Sequence, residues 1–536
     1  MRTIKTPEKT YDYVIVGSGF GGSVSALRLT EKGYKVLVIE KGKKYLPEEF
    51  PKTNWNLRKW LWLPSLRFFG FFKMTFLRHI GILSGVGVGG GSLVFANTLP
   101  RPPKEFFNSG NWAGLADWED ELGSYYDTSE KMLGVSLNPK LYDSDLTLKK
   151  LAESLDKGHL FEPVNVSVFF GEPEKKVPDP YFNGQGPERE GCSFCGSCMT
   201  GCRHNSKNTL DKNYLYLAAE KGAHILPEHA VKSVKPLGLP DGSAGYEIKF
   251  RRITSFIFSK NKRIKAEGII MAGGVLGTIR LMLDMKRKHL PLLSDNIGGF
   301  IRTNNESLVL VDSRDYSKDF SKGIAIGSIF PPDDNSHLET VRYGKGSGFW
   351  KLLGAPLTHG RNIFVRTGKL LYHLIRHPFS WLHIYFTKDH SRQSVILLFM
   401  QHINSTLKLR RGLFKLKSQI STGDAPTAFM PESKKLAEQV SEIIKGKPFV
   451  LLTEAVTGIP TTAHVLGGAV IGGSASEGVI DINQKVFGYH NMYVCDGSAV
   501  SSNPGVNPSL TITAMTERVM DKIPYKTKKI VTNCLE

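Results

Sequence analysis

The sequence lacks long apolar runs and is poor in cysteine. In 536 residues, no apolar stretch reaches the roughly 18 residues that a bilayer-spanning helix needs, because arginine, lysine or proline interrupts each one. The first ten residues are polar and charged, so we expect no signal peptide and, by default, a cytoplasmic location. Six cysteines are too few for a disulfide-based scaffold. With 41% hydrophobic and 22% charged residues, the composition indicates a globular protein rather than a disordered, collagen-like or coiled-coil one.

Acidic residues are missing from two windows of the chain. The sequence has 70 Lys+Arg and 50 Asp+Glu, a net charge of +20. Windows 51–104 and 340–388 contain no Asp or Glu but eight Lys or Arg each, so these windows carry +16 of that charge. Both are rich in aromatic residues, which include Trp55, Trp60, Trp62, Phe68, Phe69, Phe71 and Phe72 in the first window and Trp350, Tyr372, Trp381, Tyr385 and Phe386 in the second.

The N-terminal forty residues have the pattern of a dinucleotide-binding βαβ unit. Residues 13–16 and 35–39, which are apolar except for Lys35, predict two buried strands, and residues 24–29 have helical spacing. The first strand leads into Gly17, Ser18, Gly19, Phe20, Gly21 and Gly22. In this motif the first glycine permits the tight turn, the second lets the backbone approach a pyrophosphate, and the third lets the helix pack on the strand. Glu40 can accept a hydrogen bond from an unphosphorylated ribose, which favours FAD or NAD over NADP.

Two further glycine-rich segments suggest that the cofactor is enclosed. Residues 85–92 include the consecutive glycines Gly89, Gly90 and Gly91, which suit a backbone pressed against a flat group or phosphate oxygens, and a flexible loop is the less favoured alternative. Residues 268–274 predict a strand that runs into a tight turn, with a helix after it. A cofactor contacted near residues 20, 90 and 270 would be held by a discontinuous domain, which suits a flavin.

The last eighty residues carry four further motifs, at residues 462–468 around His464, residues 488–489, residues 492–498 and residues 505–513. Together with the N-terminal unit, these motifs resemble the glucose–methanol–choline (GMC) family of flavin oxidoreductases, most closely its cholesterol-oxidase-like branch. The resemblance covers about half of the chain, and the motifs occur in the family's order.

The resemblance implies an α/β fold with two domains. One is a discontinuous, Rossmann-like FAD-binding domain, expected at residues 1–50, 80–110, 190–305 and 455–536. The other is an α+β substrate-binding domain built on a sheet, with lid segments, expected at residues 51–79, 111–189 and 306–454.

The resemblance also implies roles for individual residues. His464 would position the substrate hydroxyl or act as its base, and Asn507 would face the flavin and support its reduced form. The segment with Gly91 and Ser92 would run alongside the isoalloxazine ring of the flavin, and the backbone of Val231 would contact the adenine. The full set of expected FAD contacts is Gly17, Ser18, Gly19, Phe20, Gly21, Gly22, Glu40, Gly89, Gly90, Gly91, Ser92, Asn97, Val231, Asp496, Gly497 and Pro508.

The implied reaction oxidises the hydroxyl of a sterol or another hydrophobic alcohol to a ketone. A neutral imidazole takes the hydroxyl proton while hydride passes from carbon to flavin N5. Three alternatives stay open, which are a long-chain or other alcohol dehydrogenase with an acceptor other than O₂, a non-redox flavin-bound lyase on the same fold, and a non-catalytic membrane-binding relative. Cholesterol oxidases of this kind also use a substrate-domain glutamate for double-bond isomerisation. The matching stretch, 394–401, contains none, and Glu306 is the nearest candidate.

Four of the six cysteines, Cys192, Cys195, Cys198 and Cys202, follow the spacing C-x2-C-x2-C-x3-C. This spacing matches bacterial ferredoxin loops, although Arg203 stands where those loops have proline and no second run exists. Four thiolates could also hold zinc. The alternative is a set of reduced thiols in a tight turn. A cluster would favour a dehydrogenase that passes electrons onward over an oxidase that uses O₂.

The two basic, aromatic windows have three interpretations. They could bind single-stranded nucleic acid, contact an anionic membrane peripherally, or form a core whose charges are solvated. The first window runs directly into the glycine-rich segment 85–92, and the second lies in the expected substrate domain. We therefore favour a membrane face through which a hydrophobic substrate enters, and we expect no nucleic-acid partner.

Overall fold

The computed structural model describes residues 1–255, 259–358, 360–403, 405–413, 415–423 and 425–527. Parts of the predicted domain segments therefore lie outside the described residues, namely 256–258 and 528–536 of the expected FAD-binding domain and single positions in 306–454. The described chain is mixed α/β and is dominated by two seven-stranded sheets. The predicted fold class is confirmed, whereas the division of the chain into the two stated domains stays a prediction.

The first sheet is built on the predicted βαβ unit. Its strands run in the order His224–Leu226, Val36–Ile39, Thr10–Val16, Lys262–Met271, Tyr246–Arg252 and His229–Pro236, and Met492–Val494 pairs with the end of Lys262–Met271. The pairs between the first four strands, and the pair with Met492–Val494, are parallel. Buried Val, Ile and Leu are concentrated where the parallel strands pair, as in Val36–Ile39, which fits a sheet that helices cover.

Helices pack beside this sheet and position its loops. Helix Phe20–Glu31 follows the first glycine turn and packs against helices Tyr214–Glu220 and Ser509–Lys522. Helix Ser509–Lys522 also packs against Trp118–Leu133, and Gly274–Lys286 packs on strand His229–Pro236. The C-terminal motifs are thereby held against the N-terminal βαβ unit.

The second sheet is antiparallel and separates a helical layer from a cavity. Its strand order is Gly354–Pro356, Gly446–Leu451, Ser307–Ser313, Ser394–Gln401, Ser336–Val341, Ile326–Asp333 and Glu162–Pro163. Side chains alternate between the faces of a strand. Val395, Leu397 and Phe399 pack in the core with helices Asp143–Ser154 and Pro431–Ile443, whereas Ile396 and Leu398 line the cavity.

The remaining elements are shorter. Strands Phe72–Phe76, Gly81–Gly85 and Thr461–Thr462 form a three-stranded sheet. Two-stranded pairs are formed by Trp62–Leu63 with Phe68–Phe69, Ser136–Leu137 with Asn165–Val166, Lys176–Val177 with Arg189–Glu190, and Thr406–Arg411 with Leu416–Thr422. The other α-helices are Leu57–Trp60, Lys104–Phe107, Ile363–Arg376, Pro378–Phe386, His390–Gln393 and Leu452–Thr457. No helix among the described residues is both long enough and apolar enough to span a membrane.

The two acid-free windows meet in one aromatic cluster. The Trp60 ring lies 5.3 Å from Phe349 and 5.9 Å from Trp350, and Phe72 lies 6.0 Å from Trp350, measured between ring centroids. Trp62, Phe71 and Trp381 are also buried. These aromatic side chains therefore form core, as one of the three interpretations of the windows expects. Other members, including Trp55, Tyr372, Tyr385 and Phe386, are exposed.

A buried ion pair ties a helix to the second sheet. Arg342, which follows strand Ser336–Val341, donates to Asp145 of helix Asp143–Ser154 at 2.5 Å, and both side chains are inaccessible to solvent. Asp145 also accepts from the Ser328 hydroxyl at 2.9 Å.

We expect Asp145→Asn to lower the free energy of unfolding by about 3–5 kcal/mol, because it leaves the Arg342 charge buried without its counter-charge. Urea unfolding measures this change.

Asp127→Asn is the matched control, because Asp127 pairs with Arg101 on the surface and is largely exposed. Removing an exposed pair changes stability by about 1 kcal/mol or less. Equal unfolding midpoints for the two variants would contradict a structural role for the buried pair.

Candidate active site

A cavity of about 320 Å³ is lined by residues from both halves of the fold. One wall is formed by the glycine-rich turns and the C-terminal motifs, and the opposite wall by the second sheet. Polar side chains are a minority of the lining. The lining includes Gly19, Phe20, Gly21, Gly91, Asp496, Gly497 and Pro508 on the first wall, Leu308, Leu310, Ile326, Val341, Ile396 and Leu398 on the second, and Glu306, His464 and Asn507 among the polar groups.

The first glycine-rich segment packs directly against the other two. Gly17 has a φ of +105°, and a Cβ at this position would lie 2.3 Å from the carbonyl oxygen of Ala272. A Cβ on Gly90 would lie 2.6 Å from the Cα atom of Gly19. Among the three consecutive glycines, Gly91 lines the cavity, whereas Gly90 is required for the contact between the segments.

Glu40 lies at the end of strand Val36–Ile39, where the motif predicts a ribose acceptor. It is 5% exposed. Its carboxylate accepts from the N–H and the hydroxyl of Ser18, at 3.1 and 2.8 Å, and from the N–H of Gly42 at 2.8 Å. These donors hold the carboxylate in a fixed orientation beside the glycine turn.

The C-terminal motif brings Asp496 to the same region. Asp496 accepts from the Thr278 hydroxyl at 2.5 Å and from the Ser498 N–H at 2.8 Å, and its burial raises the pKa of the carboxyl. A Cβ on Gly21 would lie 1.7 Å from the carbonyl oxygen of Cys495, so the motif packs tightly on helix Phe20–Glu31. Gly497 and Pro508 line the cavity nearby.

Several residues expected to contact FAD do not line this cavity. Ser92 is buried, donating to the carbonyl of Gly89 at 2.7 Å and accepting from the Leu210 N–H at 3.1 Å, so its hydroxyl stabilises the turn. Val231 lies in strand His229–Pro236 at an irregularity of the register. The others outside the lining are Gly17, Ser18, Gly22, Glu40, Gly89, Gly90 and Asn97. Their roles in binding the cofactor stay predictions.

Some of the buried polar atoms that lack a hydrogen-bond partner lie in the segments expected to hold FAD. Both polar atoms of the Asn97 side chain lack a hydrogen bond, as do Oγ1 of Thr98, Oγ of Ser498 and Oδ1 of Asn507. Such orphaned groups are rare in proteins and call for a ligand or solvent. All four residues lie in the segments that the sequence assigns to FAD, so the chain offers polar groups that fit the cofactor. When bound, FAD supplies the hydride acceptor.

A buried carboxylate orients His464. Nδ1 of His464 lies 2.7 Å from Oε1 of Glu306. Glu306 also accepts from the Thr462 hydroxyl at 2.6 Å and from the Ala463 N–H at 3.0 Å, so both of its oxygens are occupied. A proton on Nδ1 is directed to Glu306, which leaves Nε2 as the free ring nitrogen. Glu306 thus acts on the imidazole and is poorly placed to take a proton from a substrate.

Opposing effects set the pKa of His464. Burial lowers the pKa, but the adjacent Glu306 carboxylate outweighs it, and Glu339 acts in the same direction, so the pKa of His464 is raised above its ordinary 6.5. A raised pKa makes the neutral imidazole a stronger base at the pH values where it is deprotonated.

Asn507 bridges His464 and a second buried carboxylate. Nδ2 of Asn507 lies 3.4 Å from Nε2 of His464 and 3.5 Å from Oε2 of Glu339. Glu339 is fully buried, and its other oxygen lies 3.0 Å from Nε2 of His337. Sequence reasoning missed Glu339. Strand alternation was the available signal, because His337, Glu339 and Val341 share one face of strand Ser336–Val341 and Val341 lines the cavity.

The cysteine run forms a separate, small cavity next to this site. All four thiols line it, together with His204 and Lys207. Cys192, Cys195, Cys198 and Cys202 are free thiols. Among the described residues, no three His, Cys, Asp or Glu side chains are arranged to hold a metal ion.

Comparisons with known proteins agree with this arrangement. Residues 405–516 match the family model for the GMC oxidoreductase C-terminal region, and residues 15–45 match that of an NAD(P)-binding Rossmann-like domain. The chain is 43% identical over 526 residues to a cholesterol oxidase of Acinetobacter baumannii, covering 96% of this chain and 95% of that protein. It is 41% identical over 534 residues to a cholesterol oxidase of Mycobacterium tuberculosis, covering 96% and 91%.

A solved structure shows the same fold at lower identity. A formate oxidase of Aspergillus oryzae RIB40 aligns with a TM-score of 0.62 and 14% identity, over 96% of this chain and 98% of that one. The predicted resemblance and the predicted cofactor, FAD, are therefore confirmed. The chain belongs to the GMC oxidoreductases, FAD-dependent enzymes that act on CH–OH groups.

Proposed function

We propose that this protein oxidises the hydroxyl of a sterol, or of a similarly bulky hydrophobic alcohol, to the ketone. The observation that carries the proposal is near-full-length identity above 40% to two proteins named cholesterol oxidase. The cavity is consistent with such a substrate because its lining is mainly aliphatic and aromatic. Its volume of about 320 Å³ is typical of small-molecule sites.

The polar side chains that line the cavity can bind and orient one hydroxyl group of a substrate. A hydroxyl near Nε2 of His464 can donate its proton to the imidazole, whose other nitrogen is held by Glu306. The amide of Asn507 is close enough to orient the same oxygen. The rest of the substrate would lie along the face formed by Leu308, Ile396 and Leu398, with Trp350 and Phe72 at its end.

Anaerobic mixing of the FAD-loaded enzyme with cholesterol tests this proposal. We expect the flavin absorbance to bleach, and to bleach faster with cholesterol than with a linear long-chain alcohol at equal concentration. His464→Gln should slow bleaching by roughly 10²–10⁴-fold, the usual contribution of a general base. His490→Gln, at a mostly exposed histidine outside the cavity, is the control and should leave the rate unchanged.

The other outcomes identify the alternatives. Faster bleaching with the linear alcohol would indicate that the substrate is a long-chain alcohol and not a sterol. No bleaching with either alcohol would favour a lyase or a binding protein and contradict the proposed oxidation.

The pH dependence of flavin reduction tests the role of Glu306. Because neutral His464 is the base, the rate should fall as the pH drops through the raised pKa of His464. Glu306→Gln removes the nearby charge but keeps the burial, so the acidic limb should move to lower pH and the rate at its plateau should fall. Glu438→Gln, at an exposed helix position, is the control. An unmoved limb in Glu306→Gln would show that another group controls it.

We further propose that helices Ile363–Arg376 and Pro378–Phe386, called here the exposed hairpin, bind the surface of an anionic membrane. Large apolar side chains of the hairpin face solvent. Phe364, Ile375, Phe379 and Phe386 are 78–84% exposed. Others that are exposed are Ile363, Val365, Leu371, Tyr372, Leu382 and Tyr385. A contiguous apolar surface of this kind marks an interaction site rather than ordinary protein surface.

The charges around the exposed hairpin favour lipid over a protein partner. Arg361, Lys369, Arg376 and Lys388 are exposed beside the apolar side chains, and residues 340–388 contain no acid. Aromatic and aliphatic side chains inserted at headgroup level, with cations meeting anionic lipid, are typical of interfacial helices. Other basic residues of this window have internal roles, since Arg366 donates to backbone carbonyls of Val456 and Thr457.

The exposed hairpin is connected to the active-site cavity through the aromatic cluster. The buried side chains of Trp381 and Ile384 belong to the same cluster as Phe72 and Trp350. Phe72 and Trp350 also line the cavity. The proposed membrane face and the wall of the substrate cavity therefore share one apolar cluster, so a hydrophobic substrate would enter close to the cavity.

Co-sedimentation with phosphatidylserine-containing vesicles tests the membrane proposal. Replacing Arg361, Lys369, Arg376 and Lys388 by Gln should weaken binding at low salt by 100-fold or more, at roughly 1 kcal/mol for each cation. Replacing Phe364, Ile375, Phe379 and Phe386 by Asn should abolish binding. The control is the replacement by Asn of four leucines that are exposed outside the hairpin, and it should leave vesicle binding unchanged. These leucines are Leu137, Leu239, Leu292 and Leu413. Unchanged sedimentation of both hairpin variants would exclude this surface.

A further inference from the structure

Lys207 is a buried cation that takes no part in the proton transfer to His464. Its side chain is only 1% exposed, although lysine is almost never fully buried without a charged partner. The Lys207 ammonium donates to the backbone carbonyls of Phe95 at 2.8 Å, Cys198 at 2.9 Å and Leu93 at 3.3 Å. Among the described residues, no carboxylate contacts this ammonium. The fold therefore places a positive charge in its interior without a counter-charge.

The contacts of Lys207 require its protonated form. An ammonium has three N–H donors and no acceptor, and three carbonyl oxygens surround the Lys207 nitrogen. A neutral amine would direct its lone pair at one of these oxygens. Burial lowers the pKa of Lys207, whereas the three carbonyl dipoles and the face of the Phe95 ring stabilise the charged form.

Phe95 connects this cation with the active-site cavity. The Lys207 ammonium lies 4.6 Å from the centroid of the Phe95 ring, and Phe95 lines the cavity. The Phe95 ring also packs edge-on against Phe20 of the first glycine turn, with 5.6 Å between the ring centroids. Phe95 is the third residue after Ser92, in the segment expected to run alongside the isoalloxazine ring. The cation therefore lies behind the part of the cavity wall where FAD is expected.

Reduction of FAD by an alcohol adds negative charge to the cofactor. The alcohol carbon gives up a hydride, which carries two electrons to the flavin, and the O–H proton goes to His464, so the alcohol becomes a ketone. The addition of hydride to neutral oxidised flavin gives a reduced flavin with one negative charge. A fixed positive charge in a site from which water is excluded stabilises this anion more than it stabilises the neutral oxidised flavin.

We propose that the buried ammonium of Lys207 stabilises the reduced, anionic form of FAD and thereby raises the reduction potential of the bound flavin. Lys207 does not line the cavity, so it acts through its charge and not by contact with the cofactor. A unit charge about 10 Å from another, at an effective dielectric constant of about 20, changes such an equilibrium by roughly tenfold. The proposal depends on FAD alone and holds for any alcohol substrate.

The midpoint potential of FAD in the loaded enzyme, measured anaerobically against a reference dye, tests this proposal. Lys207→Met removes the charge and keeps a side chain of similar length. We expect the equilibrium constant for flavin reduction to fall roughly tenfold, which for a two-electron couple lowers the potential by about 30 mV.

Lys351→Met is the matched control for the removal of a buried lysine. Lys351 is 9% exposed, donates to the carbonyl of Thr387 at 2.7 Å and lies 6.0 Å from the centroid of a Trp55 ring. None of these three residues lines the active-site cavity. The control should therefore leave the flavin potential unchanged.

Lys207→Gln separates the charge from a structural role. Its amide can still donate hydrogen bonds to carbonyls but carries no charge, so its potential should fall as in Lys207→Met, whereas a purely structural role would leave the potential of FAD-loaded Lys207→Gln at the wild-type value. Because a dye replaces the alcohol, the result does not depend on the proposed sterol substrate. An unchanged potential in either FAD-loaded Lys207 variant, an equal fall in Lys351→Met, or loss of FAD from both Lys207 variants would overturn the proposal.

Discussion

The buried hydrogen bond between Glu306 and His464 joins the two halves of the active site. Glu306 immediately precedes strand Ser307–Ser313 of the second sheet, whereas His464 belongs to the C-terminal motifs that pack on the first sheet. Glu306 is contacted by three donors, so this carboxylate holds one imidazole nitrogen, and the other nitrogen is the one that we propose acts on the substrate. The packing of both sheets is needed to keep these groups together, because each comes from a different half of the fold.

The apolar parts of the molecule serve two purposes that composition alone does not separate. Much of the aromatic content of the two acid-free windows forms a buried cluster against the cavity, with Trp60 and Trp350 at its centre. Other members are exposed on the hairpin, where Phe364 and Phe379 are 83% and 84% accessible to solvent. The same windows thus supply both the wall of a hydrophobic site and the surface by which we propose that its substrate arrives.

Local motifs were predictable because their geometry is local. The turn at Gly17, the acid at Glu40 and the pair His464 and Asn507 are each identified by neighbours a few residues away in sequence. Glu339 was missed because its role depends on strand pairing, which places it opposite Leu398 and beside Asn507. The contact of Gly90 with Gly19 was likewise hidden, since the two positions are 71 residues apart and meet only after the loops pack.

The sequence by itself determined the cofactor class, the α/β fold and the family, because these depend on short motifs whose backbone requirements are met within one turn or one βαβ unit. Only the tertiary structure decided which carboxylate orients His464 and which aromatic side chains are core. Such properties depend on distances between residues far apart in the chain and on the exclusion of water, and both arise only when the two sheets close around the cavity.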